Sequence, residues 1–325
     1  MMPPLSRLTR RAASAILLVS AGLSGLAILR GRGYLRSAPA LTAPLAPLRS
    51  YHLGHSLVGA DMPHILHQFA GKDHLYHVQR GSGTSLRAHW EPDEPILHFA
   101  EANPPEIWRD ARTAIGSGTY DAVILTEMVE LRDALKYFDA AEYFHRWADL
   151  ARAGNPDVRL YLYETWHRLD DPEGWLTRID RDLGDLWLGK LLARDSRRAP
   201  DQPVYLIPGG QVLAAVTRAA EAGEVPGLTN REALFAREAD GSLDQIHLSP
   251  LGSYLIALTH FAVLYHRTPE GLPHQVTLAD GTPYTALDAA GAAALQRITW
   301  QVITRLPQTG LAATTPAPQL TSAET

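Results

Sequence analysis

Ser50-Tyr51-His52-Leu53-Gly54-His55-Ser56-Leu57 decides the fold, because it reads as a short strand that runs straight into a turn. A helical pattern from Asp61 to Gly71 follows it. The same alternation repeats along the chain. His74–Val78 predicts a second strand, closed by Gly81-Ser82-Gly83. Ala122–Leu125 predicts a buried third strand, Val158–Tyr163 a fourth and Val204–Ile207 a fifth, the last followed by Pro208-Gly209-Gly210 and a helix through Ala220. Helices are also expected over Glu106–Ile115 (with Pro104-Pro105 at its start), Ala140–Arg152, Gly174–Leu192, Pro250–Tyr265 and Ala286–Leu306. Such alternation argues for an α/β fold with a five-stranded parallel sheet covered on both faces. Ligands of such sheets bind outside the carboxyl ends of the strands. Ser56 and Gly81–Gly83 are expected there, with Glu127, Glu164 and Gln211.

The bulk properties fit one sizeable domain with tails: 325 residues, 46% of them hydrophobic. The formal charge of -5 conceals an asymmetry. Residues 1–36 hold six arginines and no acid, leaving 24 basic against 35 acidic side chains, a net of -11, in the rest. So anionic a body argues against nucleic acid as a partner. With no cysteine, disulfides and thiolate metal sites are excluded.

Residues 1–36 read as a targeting segment. Arg7, Arg10 and Arg11 precede an uninterrupted apolar and small-residue run from Ala12 to Leu29. That is the form of a secretory signal peptide, and the run is also long enough for a membrane anchor. Either way the body is expected to be exported, periplasmic or secreted, with membrane contact through this segment. Thr9-Arg10-Arg11 weakly resembles a twin-arginine signal. Residues 37–48 read as an Ala/Pro-rich linker, 49–307 as the α/β domain and 308–325 as a disordered tail.

A serine between a strand and a helix is ordinarily a helix cap. It also stands where free N–H groups and the helix dipole favour a developing negative charge. What raises Ser56 above a cap is Asp244-Gln245-Ile246-His247. A spacing of three can place the carboxylate beside the imidazole Nδ1, leaving Nε2 free to take a serine proton. Leu248-Ser249-Pro250 then starts a helix, so His247 is expected on a loop near a helix end.

Gly54-His55-Ser56-Leu57 resembles the first conserved block of the SGNH (GDSL-type) hydrolases, and Asp244-Gln245-Ile246-His247-Leu248-Ser249 resembles their fifth. Gln79-Arg80-Gly81-Ser82-Gly83-Thr84 resembles the second. The resemblance spans about residues 50–268 and implies a three-layer α/β/α, flavodoxin-like fold with ester-hydrolysing activity. It implies Ser56 as nucleophile, His247 as base and Asp244 as the orienting acid. It also implies an oxyanion hole from the N–H groups of Ser56 and Gly83, with Gly81 the alternative. Two departures stand out. His55 stands where the family often has aspartate, and Thr126-Glu127-Met128 follows the third strand in place of an asparagine-bearing motif. Thr126 and Gln211 are the expected substitute donors. A Glu127 carboxylate cannot donate.

No cofactor and no metal are expected. His64 and His67, with His74 and His77 beyond, lack the spacing and the glutamate of a zinc hydrolase. Trp166, in Glu164-Thr165-Trp166-His167, either stacks on a sugar or caps the core. The resulting expectation is an exported serine esterase or deacetylase acting on a small-molecule or glycan ester. An acyltransferase to a sugar hydroxyl and a non-catalytic carbohydrate-binding module remain open alternatives.

Overall fold

The computed structural model describes residues 39–311. The expected signal or anchor over 1–36 lies outside the described residues. Strands β1 (Arg49–His55), β2 (Leu75–Gly81), β3 (Ala122–Leu125), β4 (Arg159–Glu164) and β5 (Val204–Pro208) form one parallel sheet in the order β2-β1-β3-β4-β5. That is the flavodoxin-like doubly wound order.

The strands are apolar on both sides because both sides are covered. Ala122 and Ile124 of β3, Tyr161 and Tyr163 of β4, and Tyr205 and Ile207 of β5 face one core. Helices α1 (Asp61–Ala70), α7 (Trp175–Asp182), α9 (Gly209–Glu221), α10 (Pro250–Tyr265) and α11 (Ala289–Arg305) contribute to the same core. The alternate residues Val123, Leu125, Leu160, Leu162 and Leu206 are also buried, and the period of two turns them to the opposite face. There α6 (Ala140–Gly154) is the central helix, packed by α2 (Leu86–Trp90), α4 (Ala111–Gly116), α5 (Leu131–Tyr137) and α8 (Ala193–Arg198). Helix α10 is buried from Leu251 through Tyr265, as its nearly unbroken apolar sequence requires.

One stripe of the first core is polar. Ser50 and His52 of β1 share a face with Ala122 and Ile124. Ser50 Oγ is hydrogen-bonded to His52 Nε2 at 3.1 Å and to His74 Nε2 at 3.4 Å, and His74 Nδ1 to the Tyr265 hydroxyl at 2.8 Å. The His260 ring lies 5.8 Å from that of His52 and 4.7 Å from that of Tyr163. Burial lowers His74 and His260 to about 4, and pushes His52 well below the usual range. His55 and His89 are also held at about 4, again chiefly by burial. Two carboxyls go the other way: burial raises Glu127 to about 7 and Glu164 to about 8.

These shifts set a stability optimum. Unfolded histidine takes its proton near ~6.5 and unfolded glutamate near ~4.3. As pH falls from 8 towards 6.5 the folded glutamates bind protons first, so stability rises. Below 6.5 these five histidines, with His266 also lowered to about 4 by burial, protonate only in the unfolded chain, which outweighs the two glutamates, so stability falls. Thermal or urea unfolding at pH 8, 6.5 and 5 is expected to give a maximum near ~6.5. Stability that keeps rising down to pH 5 would contradict the neutral buried histidines.

Three elements differ from expectation. The helix expected over Glu106–Ile115 begins only at Ala111, where Asp110 accepts the Thr113 N–H at 2.8 Å. Before it, Trp108 bridges Val78 of edge strand β2 and the Ile107 carbonyl accepts the Val78 N–H at 2.9 Å. Capping an exposed strand edge outweighs helix propensity there. The long helix expected over Gly174–Leu192 forms in two pieces, α7 and a π-helical stretch Leu183–Leu192, and runs on beyond Leu192 as α8. The body also extends past residue 307, since Pro307–Thr309 is a 3-10 turn with Thr309 fully buried. Within the expected linker, Leu41 donates to the Gly310 carbonyl at 2.8 Å and the Tyr205 hydroxyl donates to the Pro39 carbonyl at 2.9 Å, so residues 39–42 lie against the body.

Candidate active site

The chain leaves β1 for β2 on one side and returns to β3 on the other, so the end of β1 is the switch point of the sheet. Ser56 is the first residue beyond it and opens a single 3-10 turn, Ser56–Val58. The cap of that turn is His55, whose Nδ1 accepts the Leu57 N–H at 3.4 Å. The Ser56 hydroxyl is therefore free of capping duty. Gly54 serves close approach: a Cβ there would collide with the Thr126 side chain.

Asp244 and His247 lie on β7 (Leu243–Leu248), which pairs antiparallel with β6 (Phe235–Arg237) in a short ribbon, not on a free loop. Asp244 Oδ1 accepts the backbone N–H groups of Ile246 at 2.8 Å and His247 at 2.9 Å. Oδ2 accepts from His247 Nδ1 at 2.7 Å. With Nδ1 donating there, Nε2 is left to accept from the Ser56 hydroxyl, at 3.0 Å. Partial burial pushes the Asp244 carboxyl up, but the His247 and Ile246 N–H groups and the His247 ring outweigh it and hold its pKa below the usual range. It stays ionised, as an orienting carboxylate must.

The ribbon is held by the segment after β4. Trp166 Nε1 donates to the Ile246 carbonyl at 2.8 Å, and the Leu169 N–H donates to that of Gln245 at 2.8 Å. These bonds fix the two residues of backbone that lead into His247. Ser249 Oγ accepts the Gly252 N–H at 3.3 Å and so starts α10 directly behind it.

Ser56, His247, Ser82 and Gly83 line a cleft of about 570 Å³. Gly83 has a left-handed φ of +59° and nothing near the site of its absent Cβ, so its backbone is open to the cleft. The far wall is Val129, Glu130 and the 167–172 segment.

The structure places the other candidate binding residues away from the cleft lining. Gly81 is buried against Ile96 and Thr84. Thr126 is 1% exposed and sits under Gly54. Glu127 is fully buried, and its Oε1 accepts backbone N–H groups. Glu164 is fully buried and accepts both the backbone and the side-chain amide of Gln211 at 3.2 Å. The remaining Gln211 side-chain donation goes to the Ile179 carbonyl at 3.0 Å, so Gln211 is spent on structure. Trp166 is 1% exposed and braces the ribbon, which rules out the sugar-stacking alternative.

Sequence reasoning missed the cleft wall. Arg178, only 2% exposed, donates to Glu130 at 2.6 Å, Asp171 at 2.6 Å and Asp182 at 2.8 Å. His167 Nε2 lies 3.2 Å from the same Asp182 carboxylate. One local signal existed, the Arg178–Asp182 spacing of four on a helix.

Among the described residues, no group of three or more His, Cys, Asp or Glu is placed to hold a metal, and no helix is long and apolar enough to cross a membrane. Two of the histidines weighed as ligands are engaged elsewhere. His67 Nδ1 donates to the His74 carbonyl at 2.6 Å, and His77 Nδ1 is bonded to the Tyr120 hydroxyl at 3.0 Å.

No protein family matches the sequence, and no curated protein does. Solved structures do show similarity. A DUF4886 family protein from Bacteroides uniformis ATCC 8492 is 14% identical, over 79% of this chain and 95% of the other, with a TM-score of 0.49. A protein assigned as a GDSL-like lipase from Parabacteroides merdae ATCC 43184 is 11% identical, over 70% and 99%, with a TM-score of 0.41. Phospholipase A1 from Streptomyces albidoflavus NA297 is 14% identical, over 67% and 100%, with a TM-score of 0.37. At these identities the chemistry has to be read from the side chains.

Proposed function

We propose that the protein is an SGNH-type serine hydrolase that cleaves an acyl ester. The observation that carries this reading is the unbroken Ser56–His247–Asp244 chain, with contacts of 3.0 and 2.7 Å, opening on the cleft at the end of β1. Ser56 Oγ attacks the acyl carbon while His247 Nε2 takes its proton. The N–H groups of Ser56 and Gly83 hold the oxyanion. Collapse breaks the ester bond, and His247 gives its proton to the departing alcohol. Water, deprotonated by the same nitrogen, attacks the acyl-enzyme and releases the acid. The His247 side chain is 47% exposed, which leaves the base open to water and supports hydrolysis over transfer to another hydroxyl. The basic and apolar composition of residues 1–36 supports export, and with it an ester outside the cytoplasm, such as an O-acyl group on carbohydrate.

A fluorophosphonate probe tests the reading directly, since it needs an activated serine and no knowledge of the substrate. One probe per chain is expected, mapped by peptide mass to Ser56, together with release of p-nitrophenol from p-nitrophenyl acetate. An unmodified chain, or a label on another serine, would overturn it.

A further inference from the structure

Glu127 is fully buried, yet it lies two residues beyond β3, at the same end of the sheet as Ser56. Its Oε1 accepts two backbone N–H groups, that of Leu86 at 3.2 Å and that of Met128 at 2.8 Å. Its Oε2 has no hydrogen-bond partner. Leu86 opens α2, three residues past Gly83, and its carbonyl accepts the Trp147 indole N–H at 3.0 Å. Met128 leads into Val129 and Glu130, which line the cleft opposite. Strand β1, with Ser56 at its tip, runs between β2 and β3. One carboxyl oxygen thus joins the two loops that flank the nucleophile.

We propose that Glu127 is the positioning residue of the oxyanion site: its Oε1 clamps the loop after β2 to the loop after β3 and so fixes the Gly83 N–H beside Ser56. The proposal rests on the hydrolase reading above. A buried carboxyl with one unpaired oxygen is a poor stabiliser of the fold. Near neutrality burial keeps it substantially protonated, so it serves as a neutral acceptor. Glutamine reproduces that acceptor with the same shape, and leucine fills the volume without it. The Gly83 N–H acts on charge that develops only in the transition state, so misplacing it lowers kcat and spares KM.

The test compares wild type, Glu127→Gln and Glu127→Leu on p-nitrophenyl acetate, with amide hydrogen exchange at residues 82–88 and 128–130. Glu127→Leu is expected to lose about 100-fold in kcat with KM within about 3-fold, since a displacement of ~1 Å costs that much. Glu127→Gln is expected to retain kcat within about 3-fold. Exchange at the Leu86 and Met128 amides should rise in the leucine variant alone. Should that variant not fold, Glu127→Asp, which keeps the carboxyl group and shortens its reach, is expected to show the same kcat loss. A folded leucine variant with wild-type kcat, a glutamine variant as impaired as leucine, or unchanged exchange at Leu86 would each overturn the proposal. Wild type that fails to react with the serine probe would overturn the hydrolase reading itself, while the exchange result still reports on the clamp.

Discussion

Ser56→Ala is expected to lower kcat/KM for ester hydrolysis by about 10⁴-fold or more, because the nucleophile is removed and only the oxyanion donors and binding remain. His247→Ala should cost a comparable factor, and the double variant little beyond either alone. The two side chains act as a unit through one hydrogen bond of 3.0 Å, and units of this kind are strongly non-additive. Additive losses would mean that the serine and the imidazole work separately. Stability separates this reading from the bland one. Were Ser56 a helix cap, its alanine variant would lose about 1 kcal/mol. The cap is instead the His55 ring, so the Ser56→Ala melting temperature should match wild type while activity disappears. Loss of folding in step with activity would return Ser56 to a structural role.

The sheet and the Ser56–His247–Asp244 chain were legible in sequence because both leave short local patterns. Strands buried on both faces write themselves as short apolar runs, and Gly54-His55-Ser56 stands where the first of them stops, while Asp244 and His247 were legible from their spacing of three and the helix start after them. The candidate binding residues at other strand ends were not legible, and Glu164 shows why. A polar side chain at the end of a strand can turn into the cleft or meet the first turn of the next helix. Glu164 does the latter, accepting the N–H of Gln211 at 3.2 Å. Neighbouring strand residues point to opposite faces, so position alone does not choose between them. Residues 106–110 were missed for another reason: whether β2 is an edge strand in need of cover depends on strand order, which no local pattern carries. The cleft wall was invisible because Glu130, Asp171 and Asp182 are linked through Arg178 across 52 residues of chain, with contacts of 2.6, 2.6 and 2.8 Å.

That arginine is the second large effect expected. Arg178→Met should destabilise the protein by about 3 kcal/mol, the low end of what removing one partner of a buried ion pair costs, because Arg181 still lies 2.9 Å from Asp182. The carboxylate at issue is Asp182, whose side chain is 2% exposed. Burial pushes its pKa up, but His167, Arg178 and Arg181 hold it well below the usual range, so it stays charged. Lysine is not an adequate substitute, because Arg178 directs three separate nitrogens at three carboxylates and an ammonium is a single point. Replacing Asp182 by asparagine in the same chain should recover part of the loss, since the weakened compensation of a buried charge and not the missing bond is the main cost. If Arg178→Met/Asp182→Asn melts no higher than Arg178→Met, the cost lies in packing instead. The site should respond in a particular way. Glu130 and Asp171 would slacken, moving the wall that faces Ser56, while the Ser56–His247–Asp244 chain keeps its own support from Trp166 and Leu169. A small fluorophosphonate should therefore still label Ser56 in the folded variant, whereas KM for an ester large enough to touch the wall should rise. Equal loss of labelling and of substrate binding would show that the wall and the triad are not held independently.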